Sequence, residues 1–459
     1  MFRAGRVRYA SAACLALLLY GVAHPSAAQT RDPASQSLGP SPSDAQAPPP
    51  ETTGFRFHGY VRSGFGVDAS GKGQQPFIAP LAGSKYRLGN EAETYLESTF
   101  DYGATSPGDN PAFFDTRITL AYVTPTSQSS SFATTFSLRE AYALARGVWP
   151  AQPRATFWAG ARFYDRYDVH LTDFWYRDPS GFGGGVENVS IGKSAWLAVA
   201  WIGGSSDELD SNGSVPSDDL FRFNKNTFDV KLSGLGVARG QLSAAVDFSH
   251  FNGDEVINSD PPIVLEDSWG VGATGVIDWP FKGGRHRLAL QYGSGAAYDF
   301  RSVITRPAGR DFEPGEVVHV DALWQFRVVN DFLLDRRGPW ALQALVLYQQ
   351  LDNGAVSNSR IHWMSLGARP VRRLGRFFSL ATEAGWDYTV QGDLPGGSLF
   401  KLTVAPQITP ELKFLSRPSL RAFATWAHWS EAFRDSIASA TNPDQVRGAS
   451  FGVQLETWW

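Results

Sequence analysis

Residues 318–328 read VHVDALWQFRV. Alternate side chains of an extended chain face opposite ways. Val320, Ala322, Trp324, Phe326 and Val328 therefore share one face, and His319, Asp321, Gln325 and Arg327 the other. Such a strand is apolar on one side and wet on the other. RLALQYG at 287–293 repeats the phase, with Leu288, Leu290 and Tyr292 opposite Arg287 and Gln291. In EAETYLES at 91–98, Glu91, Glu93, Tyr95 and Glu97 fall together.

Segments of this kind recur from Phe55 to the C-terminus, separated alternately by turn-like stretches (FKGGR, DRRGP) and by long polar ones (GGSSDELDSNGSVPSDD, FRSVITRPAGRDFEPGE, HWSEAFRDSIASATNPDQVRG). An all-β barrel that crosses a bilayer needs this layout: strands of about 9 to 11 residues, apolar outside and polar inside, short turns at one rim and long loops at the other. At roughly 22 residues per strand and connection, residues 55–459 give about 16 to 18 antiparallel strands, the size of a porin.

The first residues bear on the compartment. Arg3, Arg6 and Arg8 precede an apolar run over 10–22, and Ser26-Ala27-Ala28 precedes Gln29. This is the arrangement of a signal peptide over 1–28, which carries away the single cysteine, Cys14. Residues 29–54, rich in Pro, Ser and Ala, read as a flexible periplasmic spacer. Beyond the signal no run approaches the roughly 20 apolar residues of a membrane helix. A formal net charge of −4 gives no reason to expect a nucleic-acid partner.

The chain closes with GVQLETWW at 452–459. Val453, Leu455, Thr457 and Trp459 share the apolar face, while Trp458 lies with Gln454 and Glu456 on the wet one. In FRFHGYVRSG, Tyr60 likewise falls with His58 and Arg62, opposite Phe57, Gly59 and Val61; Tyr95 lies between Glu93 and Glu97. Aromatics in a polar lumen are wasted unless something stacks on them. A pyranose, with apolar C–H faces and a rim of hydroxyls, suits rings flanked by charged hydrogen-bonding groups.

FHGYVRSG, SKYRLGNEAETYLE, WAGARFYDRYDVHLTDFWYRDPSG, LSRPSLRAFATWAHW and the closing ETWW together resemble the maltoporin family of outer-membrane carbohydrate porins. The resemblance implies an 18-stranded transmembrane barrel, a homotrimer in the outer membrane, and a third external loop folded inward as a constriction. It also implies an aromatic slide for maltose, maltodextrins or related oligosaccharides, bordered by a charged track. Tyr60, Tyr95 and Trp458 match slide positions. Trp175 stands at the constriction, and Arg62, Arg87, Glu97, Arg139, Arg166, Asp168, Asp173 and Asp178 match the track. Departures also appear. Leu415, beside Phe414, and Arg285 stand where the family has slide aromatics, Phe132 is a poor match for the aromatic lent by a neighbouring subunit, and Pro76 and Ala92 replace the cysteines of a first-loop disulfide.

Other readings compete. The rings could be ordinary interior packing, and the charges a general ionic lining, as in a diffusion porin without sugar selectivity. GASFG at 448–452 matches a serine-hydrolase pattern but opens a strand; GVGATG at 270–275 matches a dinucleotide fingerprint but runs into strand-like VIDW. Ser249 and His250, adjacent in a strand, face opposite sides. No enzyme, metal or cofactor is expected. The partners expected are sugar, other copies of the chain, outer-membrane lipid and the assembly machinery that reads the terminal aromatic.

Overall fold

A computed structural model describes residues 52–91, 93–108, 110–124, 135–206, 223–256, 261–302, 307–309, 312–336, 338–439 and 441–459. The signal-peptide expectation, residues 29–51 of the expected spacer, and the positions of Phe132 and Ala92 lie outside the described residues, while Gly54, expected in the spacer, opens the first strand.

The alternation builds an 18-stranded antiparallel sheet. Its strands are β1 (Gly54–Asp68), β2 (Thr94–Thr105), β3 (Phe113–Thr124), β4 (Thr135–Arg146), β5 (Thr156–Arg162), β6 (Gly181–Ile191), β7 (Ala195–Ser206), β8 (Phe223–Val237) and β9 (Gly240–Asn252). They continue as β10 (Ser268–Phe281), β11 (Gly284–Ser294), β12 (Trp324–Leu334), β13 (Trp340–Asp352), β14 (Arg360–Arg373), β15 (Phe378–Gln391), β16 (Gly397–Ile408), β17 (Ser419–Trp429) and β18 (Arg447–Trp458). Neighbours in sequence pair with one another, and β1 pairs with β18 in the register Tyr60↔Trp458. No edge is left, which lets every backbone group find a partner inside a bilayer.

The outer and inner phases match the sequence. Leu290 and Tyr292 are exposed, and Arg287 and Gln291 face inward, buried. Outward aromatics mark two belts. Phe55, Phe57, Tyr102, Phe114, Trp340, Phe378 and Trp459 lie near the short-turn rim, and Phe65, Phe136, Trp201, Trp269, Tyr292 and Trp426 near the long-loop rim. These are the girdles of an outer-membrane barrel. One expectation fails: β12 begins at Trp324, because Val320–Ala322 form a 3₁₀ turn and Val317–Val318 pair with Ile263–Leu265 in a small separate sheet. That alternation tracked a loop docked on apolar neighbours, Val320 packing beside Leu323 and Leu351, and so carried a strand's period without a strand.

Among the described residues, three long loops reach into the interior. The hairpin formed by Tyr167–Val169 and Phe174–Arg177 folds inward between β5 and β6. The loop between β1 and β2, not anticipated as an inward element, crosses the lumen. Leu88 N donates to Glu383 of β15 (3.0 Å), and Lys401 of β16 donates to Leu88 O (2.7 Å). Where the family has a disulfide, Asn90 clamps this loop instead, accepting from Phe77 N (2.7 Å) and donating to Phe77 O (2.9 Å) and Tyr86 O (3.0 Å). The loop between β11 and β12 meets the inward hairpin, Asp178 N donating to Phe300 O at 3.1 Å.

Candidate functional site

The interior site has a slide wall, a hairpin facing it, and an opening bounded by loops. On the wall, β1 lies between β2 and β18 with Tyr60 opposite Glu97 and Trp458, and Arg62 opposite Tyr95 and Glu456. The period of 2 brings the three rings together. Tyr60 stacks on Trp458 at 6.4 Å and 22°, and meets Tyr95 at 6.1 Å.

The rings are not open to the lumen. Tyr60 is 0% and Tyr95 1% exposed, because guanidiniums roof them. Arg62 lies over Tyr95 at 5.1 Å, Arg417 over Trp458 at 4.4 Å, and Arg87 donates to the Tyr60 hydroxyl at 3.1 Å. Each such cation–π contact contributes about 0.5–2 kcal/mol, so a sugar face must displace a guanidinium to reach a ring.

The cations are themselves held by carboxylates. Arg62 meets Glu93 at 2.8 Å and Asp173 at 3.4 Å; Arg87 meets Glu91 at 2.6 Å and Glu456 at 3.3 Å. Glu456 also receives Arg417 (2.5 Å) and Arg421 (3.0 Å). The Tyr95 hydroxyl donates to Glu97, which has Arg139 at 3.8 Å. Eight matched positions, Tyr60, Tyr95, Trp458, Arg62, Arg87, Glu97, Arg139 and Asp173, thus belong to one connected cluster.

Trp175, Arg166 and Asp178 form a second group. Arg166 stacks on Trp175 at 3.5 Å and Phe163 at 4.0 Å, with Asp178 at 3.5 Å. Trp175 borders an opening with Gly83, Ser84, Lys85, Thr172, Asp173, Phe174 and Arg301. It holds about 20 Å³, room for about one water. Residues of three loops therefore line this opening, and Lys85 and Arg301 were not singled out in the sequence.

Asp168 stands apart from both groups. The hairpin register puts it beside Trp175, but its charged surroundings are Arg285, Arg287, Asp173 and Asp331. Desolvation pushes its carboxyl up to about 7, against the pull of Arg285. Above that pH the lumen carries one more negative charge than below it. Cation selectivity is expected to rise as pH rises through about 7, and the Asp168→Asn channel to show a flatter profile. Zero-current potentials between pH 5 and 9 check this, and identical profiles for the two proteins would refute it.

The departures have structural explanations. Arg285 pairs with Asp331 at 3.3 Å, so the wall there is ionic. Phe414 and Leu415 lie together in the turn after β16 and pack with Leu88, Leu333, Val371 and Leu412. Phe414 meets His170 edge-on at 6.1 Å and carries Arg369 over its ring at 5.5 Å.

Among solved structures the chain is similar to the outer-membrane channel DcaP of Acinetobacter baumannii (11% identity, 88% of this chain and 100% of that one, TM-score 0.45). It is also similar to OpdO of Pseudomonas aeruginosa (12%, 89% and 98%, 0.45) and to OccD3 (OpdP) of the same organism (11%, 95% and 99%, 0.46). A family model described as LamB porin matches residues 55–459. With the closed sheet, aromatic belts and charged lumen in place, the chain belongs to the LamB porin family of outer-membrane channels.

Proposed function

We propose that this porin is a sugar-selective channel for facilitated diffusion of maltose, maltodextrins or related oligosaccharides, working without a catalytic step or cofactor and assembled as a homotrimer. The observation that carries this reading is the contiguous series Tyr95, Tyr60 and Trp458, which leads down one wall toward the short-turn rim with an Arg and a Glu beside each ring. A general ionic lining has no use for stacked aromatics. In this scheme a pyranose takes the place of Arg62 or Arg417 on a ring, and the freed guanidinium and its carboxylates meet the sugar hydroxyls. Burial of Tyr60 and Tyr95 favours the competing reading, a diffusion porin whose aromatics only pack.

Sugar block of ion current across planar bilayers separates them: neutral oligosaccharides should interrupt the current at about millimolar concentration, near −4 kcal/mol, and a diffusion porin would pass them unnoticed. The last two residues give a sharper test. Trp458 touches Tyr60 and Arg417, whereas Trp459 is 46% exposed, contacts Phe57 at 5.8 Å and exchanges backbone hydrogen bonds with Gly59 at 3.2 Å. Trp458→Ala should weaken sugar block several-fold, since one aromatic contact is worth about 1 kcal/mol, with normal yield of heat-modifiable trimer. Deleting Trp459 should lower that yield and leave block unchanged in what folds. The reverse outcome, or a protein that migrates as a monomer under mild detergent, would count against these assignments.

A further inference from the structure

Most cations whose ion pairs are described inside the barrel sit on carboxylates. Arg62, Arg87, Arg166, Arg177, Lys225, Lys231, Arg285, Arg287, Arg369 and Lys401 each have a carboxylate within 4.0 Å. Among the described residues, Lys85, Arg301 and Arg327 do not. Lys85 and Arg301 both line the opening that Trp175 borders, with Asp173 beside them. Arg327 is directly behind it, sandwiched between Phe174, itself on the opening, at 4.9 Å and Phe300 at 5.4 Å.

Arg327 is 6% exposed and satisfied only by neutral acceptors: Gln349 at 2.8 Å, Tyr176 O at 2.7 Å and Gln291 at 3.1 Å. Burying a cation without a counter-charge is costly. The carboxylates nearby are engaged elsewhere: Asp173 with Arg62, Asp178 with Arg166, and Asp299 with Lys225 at 3.2 Å. The backbone flanking the opening is unusual too, Asp173 and Phe300 being non-glycine residues in the left-handed region at φ 55° and 59°. Such conformations persist where the surroundings hold them, and they gather at ligand sites.

Resting on the sugar-channel reading, we propose that this opening is a selectivity site for acidic sugars: Lys85 and Arg301 take the carboxylate, Trp175 offers its ring edge to the pyranose, and Arg327 supplies a fixed positive field behind Phe174. These cations gather at one small opening, which Asp173 also lines, and there an anionic solute gains from low dielectric and shed water. Neutral maltose uses only the aromatic wall; an aldonic or uronic sugar uses both. A basic opening also makes the channel anion-selective.

The test uses the full-length protein in planar bilayers at low salt, where screening is least, and at pH 8, where Asp168 stays ionised. Maltobionate, the aldonic acid of maltose, should block the current at about tenfold lower concentration than maltose, the size of one charge-assisted hydrogen bond. In Lys85→Gln/Arg301→Gln that preference should vanish, maltobionate and maltose blocking at about the same concentration as each other, and the zero-current potential in a KCl gradient should move toward cations. Heat-modifiable mobility confirms that the variant is folded. Maltose blocking as well as maltobionate in the parent, or the preference surviving in the folded double variant, overturns the acidic-sugar site alone. Failure of both sugars to block overturns the sugar-channel reading and the site with it. Equal block by maltobionate and lactate keeps the anion site and rejects the sugar.

Discussion

Replacing Arg177 with methionine is expected to unseat the inward hairpin and to destabilise the barrel. Asp229 of β8 and Asp247 of β9 are direct cross-strand partners, and like charges opposite one another destabilise a sheet. Both are almost wholly buried. Arg177, fully enclosed, resolves the conflict by donating to Asp247 at 2.7 Å and to Asp229, and it reaches Asp165 at 2.8 Å. Only Lys231, beside Asp165, would remain. Removing one partner of a buried ionic group costs roughly 3–5 kcal/mol, because the stranded charge keeps its desolvation cost.

Arg177→Met should therefore lower the urea midpoint of the folded barrel and raise open-channel noise as the hairpin detaches. Adding Asp229→Asn and Asp247→Asn should restore most of the loss, since a neutral buried set of similar volume is close to neutral in stability. An unaltered midpoint and quiet current in Arg177→Met would mean that the hairpin is held by something else. Arg327 bonded to Tyr176 O, and Phe174 against Trp363 at 5.1 Å, are the alternatives.

What was legible in the sequence and what was not divides along one physical line. A period of 2 gave the barrel, its inner and outer faces, and the meeting of Tyr60, Tyr95 and Trp458, because a strand leaves no freedom in where alternate side chains point. Residues 163–180 became readable only through family resemblance; no local rule says that a loop folds inward. The first loop was missed for that reason. Its anchors, Glu383 and Lys401, lie some 300 residues later in the chain, and nothing in SKYRLGN marks Tyr86 as the residue that crosses the lumen. Register was the other missing quantity. The Asp229–Asp247 conflict that requires Arg177 appears only when β8 and β9 are aligned, and the unpaired cations at the opening only when every other pairing is known. The roofing of Tyr60 and Tyr95 by guanidiniums is tertiary as well: alternation shows that a ring faces the lumen, not what lies over it.

Tyr86→Ala is expected to open the channel. The Tyr86 ring fits a notch in the far wall where Gly367 of β14 and Gly385 of β15 are register partners; a β-carbon on either would come within 2.2 and 2.1 Å of ring atoms. Its hydroxyl lies 2.9 Å from Ser365 Oγ. Leu88, two residues on, carries the backbone bonds to Glu383 and Lys401, and Arg87 between them roofs Tyr60. Truncating the ring leaves a cavity worth about 3–5 kcal/mol, comparable with what Leu88's bonds to the charged Glu383 and Lys401 supply at about 1.5–3 kcal/mol each. The loop should swing out toward the solvent and take Arg87 off the slide. Single-channel conductance is then expected to rise several-fold, and block by neutral sugars to strengthen as Tyr60 is uncovered. Gly385→Val tests the same contact from the other side, since it expels the ring without touching the loop sequence. Gly275→Ala, on a strand with open space around it, serves as the control and should conduct like the parent. If both Tyr86→Ala and Gly385→Val fold and conduct like Gly275→Ala, the first loop is not what narrows the lumen, and the constriction belongs to the hairpin at Trp175 alone.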